Sequence, residues 1–227
     1  IGNDRVIATF VTRTVVDPAD PAFDDPSKFV GPVYDESEAA WLRTNRGWVV
    51  KADGTSYRRV VPSPAPLRIL ETKPVEWVLR EGGVVVCAGG GGVPTTFDSI
   101  EDVMSGVEAV IDKDLASAVL ARDLHADLLV IATDVEGVFL DWGGAHEQMV
   151  LAAHPDAIDP RDFAAGSMGP KVRAAVQFAH ETSGTAVIGS LKKIDGMLAG
   201  QAGTTISTQI EGMTLVPTTS PAGGIST

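Results

Sequence analysis

The chain has 227 residues, 44% of them hydrophobic and 21% charged, a balance that suits one large soluble domain or a domain with a subdomain. Eighteen basic residues face thirty acidic ones, a formal charge of −12 that repels nucleic acid and anionic membrane surfaces unless a basic patch overrides it, and no such patch is visible. No apolar run reaches the roughly 18 residues that span a bilayer and no signal peptide opens the sequence, so the expected location is cytoplasmic.

The chain starts at Ile1 and enters "RVIATFVTRTVV" almost at once, a start that reads as cut from something longer. Residues 5–16 form a predicted core strand, rich in β-branched side chains. The prolines of "DPADPAFDDPSKFVGPVY" are too dense for a helix or a central strand and mark a long excursion. Asp35 and Glu38 make a capping-box pattern for a helix ending at Gly47, and Asp53-Gly54 signals a hairpin within "WVVKADGTSYRRVV". Loop, helix and hairpin together predict a small protruding subdomain over residues 17–61.

After "PSPAP" the rhythm changes to helices near 73–81, 114–126, 170–182 and 192–199, alternating with the apolar strands "VVVCA", "LLVIATD" and "TAVIGS". Apolar strands separated by helices indicate an α/β fold with a mainly parallel sheet covered on both faces, here a core over residues 62–206. Ligands then belong at the carboxyl ends of the strands. Residues 207–227 are nearly uncharged and turn-rich and read as a tail. Cys87, the single cysteine, excludes an internal disulfide and reads as a small buried hydrophobe. His125, His146, His154 and His180 lack metal-ligand spacing, and no residue is assigned to a metal.

Three features fall at strand ends or helix starts. In "EAVIDKDLASAVLARDL", Asp112 and Asp114 suit a helix N-terminus, whereas Lys113 opposes the positive end of the helix dipole; it either points into water or meets an incoming anion. In "VVVCAGGGGVP", Gly89, Gly90 and Gly91 serve either as a connector or as backbone that approaches a ligand closely; a dinucleotide fingerprint fails at Pro94, and no P-loop motif occurs. In "VIATDVEGVFL", Thr133 and Asp134 either cap the strand end or face a ligand, and Gly137 turns the chain.

The segment "AAGSMGPKVRAAVQFAHETSG" adds a second lysine, Lys171, in the first turn of a helix, with Ser167 placed to cap, Pro170 at the first helical position and Gly184 at the end. Two of only seven lysines thus repeat one unfavourable arrangement on neighbouring α/β units, which favours an anion such as a nucleotide phosphate facing both.

"AVIDKDLASAVLA", "TDVEGVFL" and "GSMGPKVRAA", in this order, resemble the amino acid kinase family. The fuller forms, with "PSKFVGPVY", "RRVVPSPAP" and "CAGGGGVP", are similar to the carbamate kinases within it, over about residues 5–206. The resemblance implies the three-layer αβα sandwich of that family, with the excursion and hairpin as its protruding subdomain. It implies reversible phosphoryl transfer between ATP and carbamate, giving ADP and carbamoyl phosphate, with Mg²⁺, in a cytoplasmic homodimer of arginine metabolism.

By resemblance, Lys113 and Lys171 neutralise charge on the transferred phosphoryl group and Asp114 holds those ammonium groups. Thr133, Asp134, Val135 and Gly137, with Gly166, Ser167, Met168, Gly169 and Lys171, bind nucleotide. Gly89, Gly90 and Gly91 lie near the small substrate. Lys28 closes over the phosphate, or simply balances Asp24 and Asp25. Two departures stand out: Phe29 follows Lys28 where relatives have proline, and the family's opening strand with its Gly-Gly-Asn loop is absent, since Gly2-Asn3 precedes a strand. The expectation is that about 100 upstream residues are missing, that the chain carries the nucleotide half of an active site, and that alone it turns over little.

Overall fold

The computed structural model describes residues 5–98, 103–164 and 166–217. Gly2-Asn3 and the tail beyond residue 217 lie outside them. The chain divides between His125 and Ala126 into two compact units.

Among the described residues the first unit holds three small sheets. The stretch expected as one strand over 5–16 is two: β1 (Ile7–Thr9) and β2 (Arg13–Val16), which belong to different sheets. β1 pairs in parallel with β7 (Val84–Val86). β2 lies between β6 (Pro66–Ile69), antiparallel, and β8 (Val93–Asp98), parallel, and β9 (Val103–Gly106) follows antiparallel to β8. The third sheet is the expected protrusion: β3 (Lys28–Tyr34), β5 (Ser56–Val61) and β4 (Val50–Asp53), in that spatial order.

Local sequence dictates the first helix, α1 (Glu36–Arg46). Asp35 accepts from the backbone N–H of Glu38 while the Glu38 carboxylate accepts from that of Asp35, a reciprocal capping box, and Gly47 ends the helix at φ 64°. The Glu38 N–H, together with the Ser37 hydroxyl, which also donates to the Asp35 carboxylate, holds that carboxyl below its ordinary pKa. The hairpin turns at Gly54, φ 63°, as its Asp-Gly pair predicts. α2 (Thr72–Arg80) leads into β7, and α3 (Lys113–Asp123) packs on β6. Val16, Ile111 and Ala116 form a buried cluster, with Phe23 and Val107 against it.

The second unit is one six-stranded sheet in the order β10 (Leu128–Thr133), β13 (Thr185–Ser190), β14 (Thr204–Ser207), β12 (Gln148–Ala153), β11 (Val138–Leu140), with β15 (Met213–Leu215) also paired to β12. β10 with β13 and β14 with β12 run parallel; the other pairs are antiparallel. The α/β class holds, with mixed rather than mainly parallel pairing. Residues 213–215 are a strand of this sheet, so the expected tail begins no earlier than residue 216. α4 (Met168–Thr182) packs on β13 through Val172, Ala175, Phe178 and Ala179, all fully buried, and a buried Phe alone contributes about 1.5–3 kcal/mol. α5 (Ile194–Leu198) is the short remnant of the helix expected over 192–199. Among the described residues no helix is long and apolar enough to cross a membrane.

Candidate functional site

In the first unit the predicted groups gather around the start of α3. Asp112 is its N-cap: one carboxylate oxygen accepts from the N–H of Asp114 at 2.9 Å and of Leu115 at 3.3 Å. The other oxygen accepts from Lys28 Nζ at 2.7 Å. Lys28 therefore has a protein partner, and it is not Asp24 or Asp25; Asp25 instead pairs with Lys51 at 2.6 Å. Burial alone would raise the Asp112 carboxyl, but the hydrogen bond and charge of Lys28 and the two backbone donors outweigh it and hold the carboxyl below its ordinary value.

Lys113 is the first helical residue, with its side chain 64% exposed and its Nζ 3.5 Å from Asp114 Oδ2, while Asp114 is buried. The ammonium is thus steered by the following carboxylate and remains open to an incoming anion.

The glycine run makes a tight turn against this helix start. Ala88, Gly90, Gly91 and Gly92 all have positive φ. Gly91 and Gly92 are glycine for steric reasons: a Cβ on Gly91 would sit 2.5 Å from the Ile111 carbonyl oxygen, and one on Gly92 would sit 2.3 Å from Thr14 Oγ1. Gly89 and Gly90 have open space and are the exposed members of the run. Two buried hydroxyls latch the turn, Thr14 Oγ1 donating to the Gly91 carbonyl at 2.6 Å and Thr12 Oγ1 accepting from the Ala88 N–H at 2.9 Å. Sequence reasoning passed over these threonines; their only trace is their alternation in "TRT". Cys87, next to the turn, is partly buried, and that burial raises its thiol pKa.

In the second unit a cavity of about 520 Å³ opens at the carboxyl end of β10. Thr133, Asp134, Val135 and Gly137 line one side, and Ser167, Met168 and Lys171 line another. Thr133 Oγ1 donates to Asp134 Oδ1 at 3.0 Å. Gly137 also answers a packing need, since a Cβ there would meet Met149 Cε at 2.5 Å and Thr204 Oγ1 at 2.8 Å. That Thr204 hydroxyl accepts from the Val138 N–H at 2.8 Å and donates to the Val150 carbonyl at 2.6 Å, joining β11 to β12.

The start of α4 differs from expectation. The helix begins at Met168, so Pro170 is its third residue; Ser167 stands at the cap position without a side-chain cap bond; and Ser183, at φ 58°, ends the helix before Gly184. Gly166 is exposed and is not part of the cavity wall. Gly169 is buried, and a Cβ there would sit 3.1 Å from the Ala164 carbonyl oxygen, so the turn into the helix itself favours glycine.

The aromatic wall of this cavity was not anticipated. Phe139 and Trp142 meet edge to face at 5.1 Å, Phe163 stands nearby in the lining, and Trp142 is 65% exposed. The signal in "GVFLDWGG" is the tryptophan beside Asp141 just past a strand end. Asp141 and Asp162 join Asp134 as acceptors, so the walls combine one cation, three carboxylates and flat apolar faces. That is the pattern of small-molecule sites of roughly 300–1,000 Å³. Elsewhere in this unit His154 and His180 both meet Asp156, at 3.4 and 3.2 Å, a convergence their spacing does not reveal.

Comparison with known proteins gives a consistent picture. Residues 36–190 match the model of the amino acid kinase family. A carbamate kinase of Haemophilus influenzae is 52% identical over 206 residues, 91% of this chain and 66% of that protein. One from Rhizobium meliloti is 50% identical over 95% of this chain and 68% of its own length. A solved carbamate kinase from Giardia lamblia, bound to AMP-PNP, superposes with a TM-score of 0.78 at 40% identity over 89% of this chain and 66% of its own. The chain spans about two thirds of the length of the curated relatives it matches.

Proposed function

This chain belongs to the amino acid kinase family, and from that premise we propose that it serves reversible phosphoryl transfer between ATP and carbamate, giving ADP and carbamoyl phosphate. The observation that carries the reading is the 520 Å³ cavity at the end of β10, walled by Phe139, Trp142, Asp134 and Lys171. An adenine has the flat faces that Trp142 and Phe139 accept, and ribose hydroxyls donate to carboxylates such as Asp134, Asp141 or Asp162. Lys171, in the first turn of α4, places its ammonium where a phosphate meets the helix dipole.

Phosphoryl transfer asks little covalent work of a protein, and its rate comes from positioning and charge stabilisation. Lys113, exposed and steered by Asp114, supplies one such charge; Lys171 supplies the other. Lys28 holds Asp112, and Asp112 fixes the helix start from which Lys113 projects, so Lys28 acts on the reaction through positioning. Gly89 and Gly90 offer exposed backbone beside that helix for the small substrate. Mg²⁺, when bound with nucleotide, neutralises phosphate charge, and the carboxylates lining the cavity are oxygen donors of the hard type it takes. In this reading the working protein is a cytoplasmic homodimer of arginine metabolism.

The test is a calorimetric titration with ADP and Mg²⁺ beside an assay of ATP formation from carbamoyl phosphate. Binding with ATP formation supports the kinase. Because the chain spans two thirds of its relatives, a second reading is kept: binding without ATP formation identifies a nucleotide-binding module. Absence of binding overturns both.

A further inference from the structure

Within the first unit a separate cavity of about 380 Å³ lies where the β3-β5-β4 sheet meets the strap that leads into α3. Its principal polar feature is Arg59, on the central strand β5, in register with Val30 on one side and Val50 on the other. The guanidinium lies 4.3 Å from the centroid of the Trp48 ring, close enough for a strong cation–π contact. Among the described residues no carboxylate forms an ion pair with Arg59, and its Nε, shut off from solvent, has no hydrogen-bond partner. Arg59 as a whole is half-buried, but its Nε is a buried donor without an acceptor, whereas buried polar groups are ordinarily paired.

The rest of the lining is complementary. Val49, Val60, Val61 and Pro62 form an apolar wall, and Val49 is 45% exposed despite its size. Glu108, on the strap, is the single carboxylate in the lining and is itself exposed. Val110, two residues on, ties the strap to the sheet by donating its N–H to the Pro62 carbonyl at 2.9 Å. The cavity thus presents one fixed cation, one carboxylate out of ion-pair range of it, and apolar surface.

We propose that this cavity is a binding site for a free α-amino acid with an apolar side chain. Arg59 takes the carboxylate through its planar fork, Glu108 takes the ammonium, and the side chain lies against the valine and proline wall. A lone anion would gain Arg59 but face Glu108; a lone cation would meet the reverse; only a zwitterion satisfies both. The site is independent of the nucleotide cavity and of the kinase reading. It lies on the elements that carry both partners of the Lys28–Asp112 pair, since Lys28 opens β3 and Asp112 ends the strap.

The test is calorimetric titration of the full chain with three probes of matched shape: L-leucine, isovalerate and isopentylamine. The expected result is a leucine Kd on the order of 1 mM or tighter, with each single-charge probe at least about tenfold weaker. Glu108→Gln, an exposed change that leaves the fold intact, should bring leucine and isovalerate to equal affinity, and Arg59→Ala should abolish leucine binding. Should Arg59→Ala fail to fold, the Glu108→Gln comparison decides alone. Equal binding of isovalerate and leucine by the unmodified chain, or no leucine binding at 10-fold above that Kd, overturns the proposal.

Discussion

Lys28 Nζ and Asp112 Oδ2 stand 2.7 Å apart, although 84 positions separate them in the chain, and the same carboxylate caps α3 through its other oxygen. The protruding sheet and the helix that carries Lys113 are thereby joined through one side chain. Lys28→Ala leaves a buried carboxylate with part of its acceptor capacity unmet, which costs about 1–3 kcal/mol. Chemical denaturation of the two proteins at neutral pH measures it.

The same pair sets a pH dependence. The folded carboxyl of Asp112 lies below its ordinary value of 3.8, so its contribution to stability is fully present above that value and is lost as pH falls through the folded one. Asp112→Asn keeps a capping side chain but removes the titration. The unmodified protein should therefore lose stability more steeply below about pH 4 than the variant does, as followed by thermal melts across an acid series.

Gly92→Ala combines two faults: φ is 85°, and the new Cβ would stand 2.3 Å from Thr14 Oγ1, the hydroxyl that latches the turn. The expected loss is about 3 kcal/mol, a fall of roughly 6–12 °C in Tm for a chain of this size. Gly90→Ala, also at positive φ but with open space around it, should cost less.

Lys113 and Lys171 should separate in their effects. Lys171 lines the proposed nucleotide cavity, so Lys171→Ala should weaken ADP binding about 10- to 100-fold. Lys113 belongs to the first unit, and Lys113→Ala should leave ADP binding unchanged while slowing ATP formation by about 10²- to 10³-fold. Titration and turnover assays on the same preparations distinguish the two.

Trp142 is exposed yet held edge to face against Phe139. If an adenine stacks there, Trp142→Ala should weaken ADP about 2- to 10-fold, and Trp142→Phe should restore most of the affinity. Nucleotide should also quench the fluorescence of the unmodified protein more than that of Trp142→Phe.

Much of the architecture was legible where the signal is local. Asp35, Glu38 and Gly47 bracket α1 because capping is decided within four residues, and Asp53-Gly54 fixes its hairpin for the same reason. What escaped depends on distant partners. The split of residues 5–16 into two strands follows from β1 pairing with β7 and β2 with β6 and β8, which apolar composition cannot distinguish. β8 was hidden by Pro94, a poor strand residue tolerated as the second of the strand. β12, β14 and β15 pair partly antiparallel and lack the uniform apolar run of a buried parallel strand, so the mixed sheet was missed. Among site residues, the two lysines announced themselves by opposing the helix dipole. Lys28's tie to Asp112 and the aromatic wall near Trp142 carry no such local contradiction.

The Thr204 hydroxyl supplies a link that backbone pairing between β11 and β12 leaves open, and it does so beside Gly137, which lines the proposed nucleotide cavity. A hydroxyl 66 positions downstream of Val138 therefore backs the glycine that forms part of that wall. A change at Thr204 would thus reach the cavity wall through Gly137, although Thr204 is not itself among the lining residues.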